Sequence, residues 1–380
     1  MGGNTLRVGI AGKRGLSFVS GLRAFPQVKI VAYCEADGAR RVTDSAKHEI
    51  PLTFDGNSYE AMLDHVDAVV IGTPMNMHVP NALLALQAGK HVLSEVTAAV
   101  SLEECWRLKD AVTASGKTYM FAENYIYGKD PMLILEMVKK GLFGDLYYGE
   151  GEYLHEVRHM HFTPDGKPSW RQYWQVGQRG CTYPTHSLGP VMTWFTALDP
   201  AERVESVICV GTGTHTAPEY PHDDTNLMLC RLRSGKLIRV RLDMVSNRPH
   251  LAYYYSLQGT QGAYEASREG NPARIWIGEN KPDEHRKWRP ITEFEEHIPA
   301  VWKEHEEAAK TSGHAGGDYH VGRNFVKAIL NNEPSPIDID QALEWTAAGL
   351  CSQISIANGG TPIQVPNFKD PAQRPKWLDG

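Results

Sequence analysis

Residues 179–190 read RGCTYPTHSLGP and place a phenol, Tyr183, three positions before an imidazole, His186. Both side chain types exchange protons with hydroxyl groups, the work of general acid–base catalysis. An unperturbed imidazole titrates near ~6.5 and is the natural base at neutral pH. An unperturbed phenol, near ~10, donates to an oxyanion as it stands but must be lowered to act as a base. Pro184 and Pro190 stiffen the chain around the pair. A Tyr and a His among prolines also pack or face solvent without any chemistry, so the rest of the chain must decide. Tyr125, in ENYIYG, is a third candidate of the same type.

A second cluster is HEVRHMHF (155–162), with His155, His159 and His161. Only Glu156 stands nearby to complete a tetrahedral set, so a metal is not expected. Arg158, Arg171 and Arg179 make 155–179 locally basic in an otherwise acidic chain. Arginine grips carboxylate- and phosphate-like groups bidentately. His155, Arg158 and Arg179 are therefore candidate substrate contacts, against the alternative of a solvated surface.

Elements must position these groups, and the first third of the chain supplies a regular series. LRVGIAG (6–12) and VKIVAYCE (28–35) read as strands, each followed by a helical pattern. VDAVVIGTP (66–74), HVLSE (91–95) and KTYMFAEN (117–124) continue the strands, with helices VPNALLALQAG (79–89) and SLEECWRLKDAVTASG (101–116) between them. Ser101 with Glu104 three residues on is a capping-box signature. Such alternation implies parallel βαβ units and a doubly wound sheet. Ligands of these sheets bind at the carboxyl ends of the strands.

The first turn, Gly12-Lys13-Arg14-Gly15-Leu16-Ser17, departs from the dinucleotide fingerprint GxGxxG, because Arg14 and Ser17 replace its second and third glycines. Its place between strand and helix, and Glu35 at the end of the second strand, still point to a dinucleotide. A carboxylate there accepts from ribose hydroxyls and repels a 2′-phosphate, which favours NAD over NADP. Arg14 could neutralise pyrophosphate or touch a 2′-phosphate.

With 380 residues, 42% hydrophobic and 22% charged, the chain suits a two-domain globular enzyme. A net charge of −6 gives no reason to expect nucleic acid or an anionic membrane as partner. No apolar run reaches the ~20 residues that span a bilayer. Six scattered cysteines without CxxC read as reduced thiols, and with no leader pattern the expectation is a cytoplasmic protein. LMLCRLRSGKLIRVRLDMV (227–245) reads as a hairpin around Ser234-Gly235, with arginines on one face.

Several stretches together resemble the Gfo/Idh/MocA family of glucose–fructose oxidoreductase, inositol dehydrogenase and relatives. They are GTPMNMHVPNALLALQAGKHVLSE (72–95) and MVKKGLFGDLYYGEGEY (137–153). The resemblance implies an N-terminal Rossmann domain over 1–124 (α/β). It also implies a C-terminal α+β domain over 125–380 with an open antiparallel sheet, whose last helices pack back on the first domain. Thr73, Pro74, Asn76 and His78 would line the cofactor groove, Glu95 and Asn124 would lie beneath the nicotinamide, and Trp170-Arg171 would touch its end. The sheet's open face would pair subunits into a dimer or tetramer.

Two departures narrow the resemblance. Family members read Glu-Lys-Pro where this chain has Glu95-Val96-Thr97, so the usual proton-transfer lysine is missing. Their second domain carries Asp-x-x-x-His where this chain has CTYPTHSLGP. Both departures are similar to the NAD-dependent glycosidase branch typified by α-N-acetylgalactosaminidases, as are GGDYHVGRNFVKAI (316–329) and SQISIANGGTPIQVPNF (352–368). That likeness implies that Tyr183 and His186 are acid/base residues, while Thr97 and Ser187 depart slightly from the branch. It implies an enzyme that oxidises a sugar hydroxyl, at C3, with bound NAD, eliminates the aglycone, adds water and returns the hydride. His186 would serve the hydroxyl and Tyr183 the α-proton or enolate. A sugar dehydrogenase with net hydride transfer and a non-catalytic NAD-binding sensor are the alternatives.

Overall fold

The computed structural model of the protein describes residues 5–268, 270–278 and 287–379. The first 124 residues carry strands β1 (Leu6–Ala11), β2 (Val28–Cys34), β3 (Leu52–Phe54), β4 (Ala68–Ile71), β5 (His91–Ser94) and β6 (Tyr119–Phe121). Between them run helices α1 (Val19–Leu22), α2 (Gly38–Lys47), α3 (Tyr59–Leu63), α4 (His78–Gln87) and α5 (Leu102–Ser115). Next come α6 (Lys129–Lys139), β7 (Leu146–Leu154), α7 (Arg171–Trp174), α8 (Thr185–Leu198), β8 (Val204–Gly211), β9 (Asn226–Leu232) and β10 (Leu237–Asp243). The chain continues through β11 (Leu251–Gly259), β12 (Gly262–Glu265), β13 (Arg274–Ile277), β14 (Arg289–Pro290), α9 (Ala300–Glu304) and α10 (Glu306–Lys310). Helices α11 (Gly317–Asn331) and α12 (Ile339–Ala357) precede a last short strand, β15 (Ile363–Gln364).

Two compact units result. One holds residues 1–124, 306–343 and 368–380; the other holds 125–305 and 344–367. The C-terminal part of the chain is thus divided between the units.

In the first unit the strand order is β3-β2-β1-β4-β5-β6, all parallel. Its central strands are buried on both faces, as parallel sheets require: Val8, Ile10 and Val69–Ile71 have no exposed surface. Ser101 caps α5, its Oγ accepting from Glu104 N–H, while the Glu104 side chain reaches one residue beyond the cap and accepts from Val100 N–H through Oε2. Helix α11 presses on α1 through glycines; a Cβ on Gly21 would run into the Tyr319 carbonyl oxygen, and one on Gly322 into the Phe18 carbonyl oxygen.

In the second unit, among the described residues, nine strands form one sheet in the order β14-β13-β12-β11-β7-β10-β9-β8-β15. The sheet is mostly antiparallel, as the open antiparallel sheet of the resemblance implies, with one parallel pairing, between β7 and β10. The 227–245 hairpin forms, with Gly235 at φ 86° in its turn. Helix α8 lies against β7 because GEGEY puts glycines on that face. A Cβ on Gly151 would strike the Ser187 carbonyl oxygen, and one on Gly149 would come within 2.5 Å of Val191 Cγ1. The opposite face is open: Ile208 and Val210 on β8 stand beside Leu229 and Leu227 on β9, all exposed.

Candidate active site

In the second unit, His186 lies in the first turn of α8, which begins right after Pro184. The stretch before it is pinned from three sides: Gly180 N–H donates to Asn226 Oδ1, Cys181 N–H donates to Ser352 Oγ, and Gly349 lies against Cys181 and Pro184. Tyr255 Oη donates to the His186 carbonyl oxygen at 2.6 Å. The imidazole is 5% exposed and is ringed by phenols. Ring centroids lie 4.6 Å away for Tyr125, 5.1 Å for Tyr153 and 5.2 Å for Tyr183. The structure thus brings together Tyr125, Tyr183 and His186, which the sequence singled out. It adds Tyr153, on the glycine face of β7, which sequence reasoning missed although it ends the GEGEY run.

From Tyr153 the cluster extends to His155 at 5.2 Å and on to His250 at 4.3 Å. Tyr253, also missed, meets Tyr125 at 5.1 Å. Burial, reinforced by His250, Arg171 and His186, lowers the His155 imidazole to about 4, so it is neutral at neutral pH. His161 turns elsewhere, onto Tyr220, so the three histidines of 155–161 do not share one environment.

The three arginines of that region differ in their partners. Arg158 is held by Glu156 and Asn247, and Arg179 by both oxygens of the buried Asp223. Those two charges are met within the protein. Arg171 donates to the neutral Gln175 Oε1 and lies over Trp170 at 4.5 Å. Of the three, it is the one whose side-chain partners carry no charge.

In the first unit, the turn after β1 is built for close approach. Gly12 takes φ 83°, and a Cβ there would run into the Gly72 carbonyl oxygen. A Cβ on Gly72 would run into the Gly15 backbone nitrogen and one on Gly15 into Ile10 Cγ2, so Gly15 does the close-packing work that the fingerprint's substituted positions do not. Glu35 follows β2, and its carboxylate accepts from the backbone N–H groups of Lys13 and Asp37, both at 3.0 Å. That fixes a carboxylate with spare lone pairs at a strand end, the chemistry a ribose diol needs. The residues present therefore fit a dinucleotide.

The groove residues after β4 and β5 are braced. His78 is 2% exposed and sits between the carbonyl oxygens of Thr97 (2.7 Å) and Thr73 (3.0 Å). It ties the two loops together. Thr73 Oγ1 accepts from Asn81, while Asn76 is half-buried in the turn after the exposed Pro74. Arg14 lies neither loose nor outward: its Nε meets Glu95 Oε1 at 2.8 Å, and its two Nη atoms meet Asp318 at 3.0 and 2.9 Å. Asp318 also accepts from Asn124 Nδ2 at 2.8 Å. Sequence reasoning missed Asp318, though it sits inside the quoted GGDYHVGRN stretch.

The family description "Oxidoreductase family, NAD-binding Rossmann fold" matches residues 5–123, and "Glycosyl hydrolase 109, C-terminal domain" matches residues 127–378. A glycosyl hydrolase family 109 protein of Shewanella pealeana is 31% identical over 99% of this chain and 87% of its own length. The chain belongs to the glycosyl hydrolase 109 family. It is an enzyme of the Gfo/Idh/MocA type, and NAD is its cofactor. An α-N-acetylgalactosaminidase of Shewanella oneidensis is 30% identical over 96% of this chain and 85% of its own. Among solved structures, a levoglucosan dehydrogenase in complex with NADH shares the fold at TM-score 0.76 and 19% identity. It covers 96% of this chain and 100% of its own. Among the described residues, no helix is long and apolar enough to cross a membrane.

Proposed function

We propose that this glycosyl hydrolase 109 member cleaves a glycoside through a transient keto-sugar, with NAD oxidised at the start and end of each turnover. The observation that carries the reading is the ring of Tyr125, Tyr153 and Tyr183 around the His186 imidazole. Glycosidases that act by direct displacement use two carboxylates flanking the bond. The rings that surround His186 are phenols instead, groups suited to moving a proton at a hydroxyl or an enolate.

The chemistry that NAD supplies when bound is reversible acceptance of a hydride from a sugar carbon, C3 in this reading. His186 takes the C3 hydroxyl proton as that carbon becomes a ketone. The ketone acidifies the neighbouring C2–H bond. Tyr183 takes this proton as its phenolate, or donates as the phenol to the enolate oxygen while a phenolate of the ring takes it. The electron pair of the C2–H bond forms the C1–C2 double bond as the C1–O bond breaks, and the base passes the proton it took from C2 to the aglycone oxygen. Water then adds to C1, a proton returns to C2, and His186 gives its proton back to the C3 oxygen as the ketone is reduced. Neutral His155 at the far end of the cluster, and Arg171 over Trp170, are the polar groups offered to the substrate.

Incubation with a set of nitrophenyl glycosides in heavy water tests this. Deuterium at C2 of the released sugar without accumulation of reduced cofactor is expected. An unlabelled C2 with net NADH would install a sugar dehydrogenase instead. The reading includes a homo-oligomer joined through the open face. Its support is the exposed apolar quartet Ile208, Val210, Leu227 and Leu229, and Leu229→Asp is expected to reduce the mass measured by light scattering.

A further inference from the structure

Buried carboxylates are rare unless paired, and Asp318 is 1% exposed. Four donors converge on it. Oδ1 accepts from Arg14 Nη2 (2.9 Å) and Asn124 Nδ2 (2.8 Å), and Oδ2 accepts from Arg14 Nη1 (3.0 Å) and His314 Nδ1 (3.0 Å). The backbone is shaped to admit this carboxylate. A Cβ on Gly313 would strike Asp318 Oδ2, and one on Gly317 would strike the Asn124 carbonyl oxygen. Burial alone would raise the Asp318 carboxyl, but the His314 and Arg14 hydrogen bonds outweigh it and hold the group well below the usual carboxylate range.

Charge counting gives this arrangement a consequence. Arg14 with Glu95 alone would be a neutral, complete pair. Asp318 adds a second carboxylate to the same guanidinium, so Arg14, Glu95 and Asp318 together carry a formal charge of −1 while the His314 imidazole that donates to Asp318 is neutral. They also have a defined place on the sheet: Glu95 follows β5, Asn124 follows β6, and Arg14 follows β1. Glu35, after β2, marks the half of the crevice that takes the adenosine ribose. The β5 and β6 ends therefore lie on the half that takes the nicotinamide.

The nicotinamide ring is positively charged in NAD⁺ and neutral in NADH. We infer that Asp318 is a positioning residue that biases this protein toward the oxidised cofactor, by holding Arg14 between two carboxylates and leaving the cluster net negative. One unit charge acting across about 12 Å at an effective dielectric of about 20 changes the ratio of two affinities by about tenfold. Tenfold corresponds to about 30 mV for a two-electron couple. The inference rests on the use of NAD in the proposed function but not on its elimination step.

The full chain, stripped of cofactor, is titrated calorimetrically with NAD⁺ and with NADH at one fixed pH of about 8.5, above the ordinary imidazole range, so that His314 adds no charge. Wild type is expected to bind NAD⁺ at least as tightly as NADH. Asp318→Asn is expected to shift the ratio about tenfold toward NADH, raising the potential of the bound couple by about 30 mV. Asp318→Glu keeps the charge and is expected to keep the ratio. The double variant Asp318→Asn with Arg14→Met leaves Glu95 as the one charge of the three and is expected to restore the wild-type ratio. A merely structural Asp318 would weaken both ligands alike. An unchanged ratio in folded Asp318→Asn overturns the inference. So does a wild type that prefers NADH by tenfold or more, a result that needs no variant to fold. Failure of C2 labelling with glycosides would sink the elimination mechanism and leave these ratios untouched.

Discussion

The ring of Tyr125 meets the imidazole of His186 edge to face at 4.6 Å, although 61 positions of chain separate them. Tyr125 comes from the short turn Tyr125–Tyr127 and His186 from the first turn of α8, so two unrelated local structures supply one proton-handling cluster. His186→Ala is expected to lower turnover by roughly 10²–10⁴, the range for loss of a general acid–base group. Its NAD affinity should stay at the wild-type level, because the dinucleotide turn lies in the other unit. Steady-state kinetics beside a cofactor titration check both halves, and near-full activity would remove His186 from the mechanism.

The close seat of α8 on β7 gives a second prediction. Gly151→Ala puts a methyl group into the Ser187 carbonyl oxygen, a backbone atom that moves only if the helix moves. Overpacking of this kind costs about 1–3 kcal/mol. Because Ser187 adjoins His186, the shift reaches the imidazole, and activity should fall further than stability alone explains. Thermal melts and kinetics on the same sample separate the two effects. A stable variant with lost activity would locate the damage at α8.

Much of this was legible in the chain because its signals are short-range. Ser101 and Glu104 announce the start of α5 from three residues apart, and Ser234-Gly235 announces the β9–β10 turn from within it. Tyr183 and His186 are neighbours in sequence and remain neighbours in space. The short strand β3, three residues with no buried alternation, gave no such signal. The parallel pairing of β7 with β10 joins segments some eighty residues apart, and no local pattern encodes it. The place of Arg14 in the turn suits contact with a pyrophosphate or a 2′-phosphate. Its carboxylate partner Asp318 stands 304 residues away, and only the folded chain shows that the guanidinium is held there.

Two histidines of the 155–161 stretch make stability depend on pH. Burial is the largest cause that lowers His155 and His161 to about 4. Neither ring nitrogen of His161 has a hydrogen-bond partner among the described residues. An imidazole in the unfolded chain titrates near ~6.5, so between that value and about 4 the unfolded state binds more protons. Stability should therefore fall as pH drops from ~6.5 through about 4, and these two groups add nothing further below that. Melting temperatures across this range check the sign. His155→Gln and His161→Gln should each flatten the slope, and a slope unmoved by both would count against this assignment.

Cofactor choice follows from Glu35. Its carboxylate is fixed at the end of β2 by the backbone N–H groups of Lys13 and Asp37, so it cannot swing aside to admit a 2′-phosphate. Wild type should bind NAD more tightly than NADP. Glu35→Ala removes a charged acceptor from the ribose hydroxyls, and a hydrogen bond to a charged group contributes about 1.5–3 kcal/mol, so NAD affinity should drop by roughly 10–100-fold. NADP should not weaken in parallel, because the repulsion goes with the carboxylate. Arg41, whose Nη1 donates to the Glu35 carbonyl oxygen at 2.6 Å, also remains in place to meet the added phosphate. The ratio of the two affinities is the deciding quantity, since losing the acceptor for two backbone donors weakens the turn for both cofactors alike. Parallel titrations of both proteins with both cofactors measure it. A wild type that binds NADP equally well would show that the Glu35 carboxylate does not face the ribose.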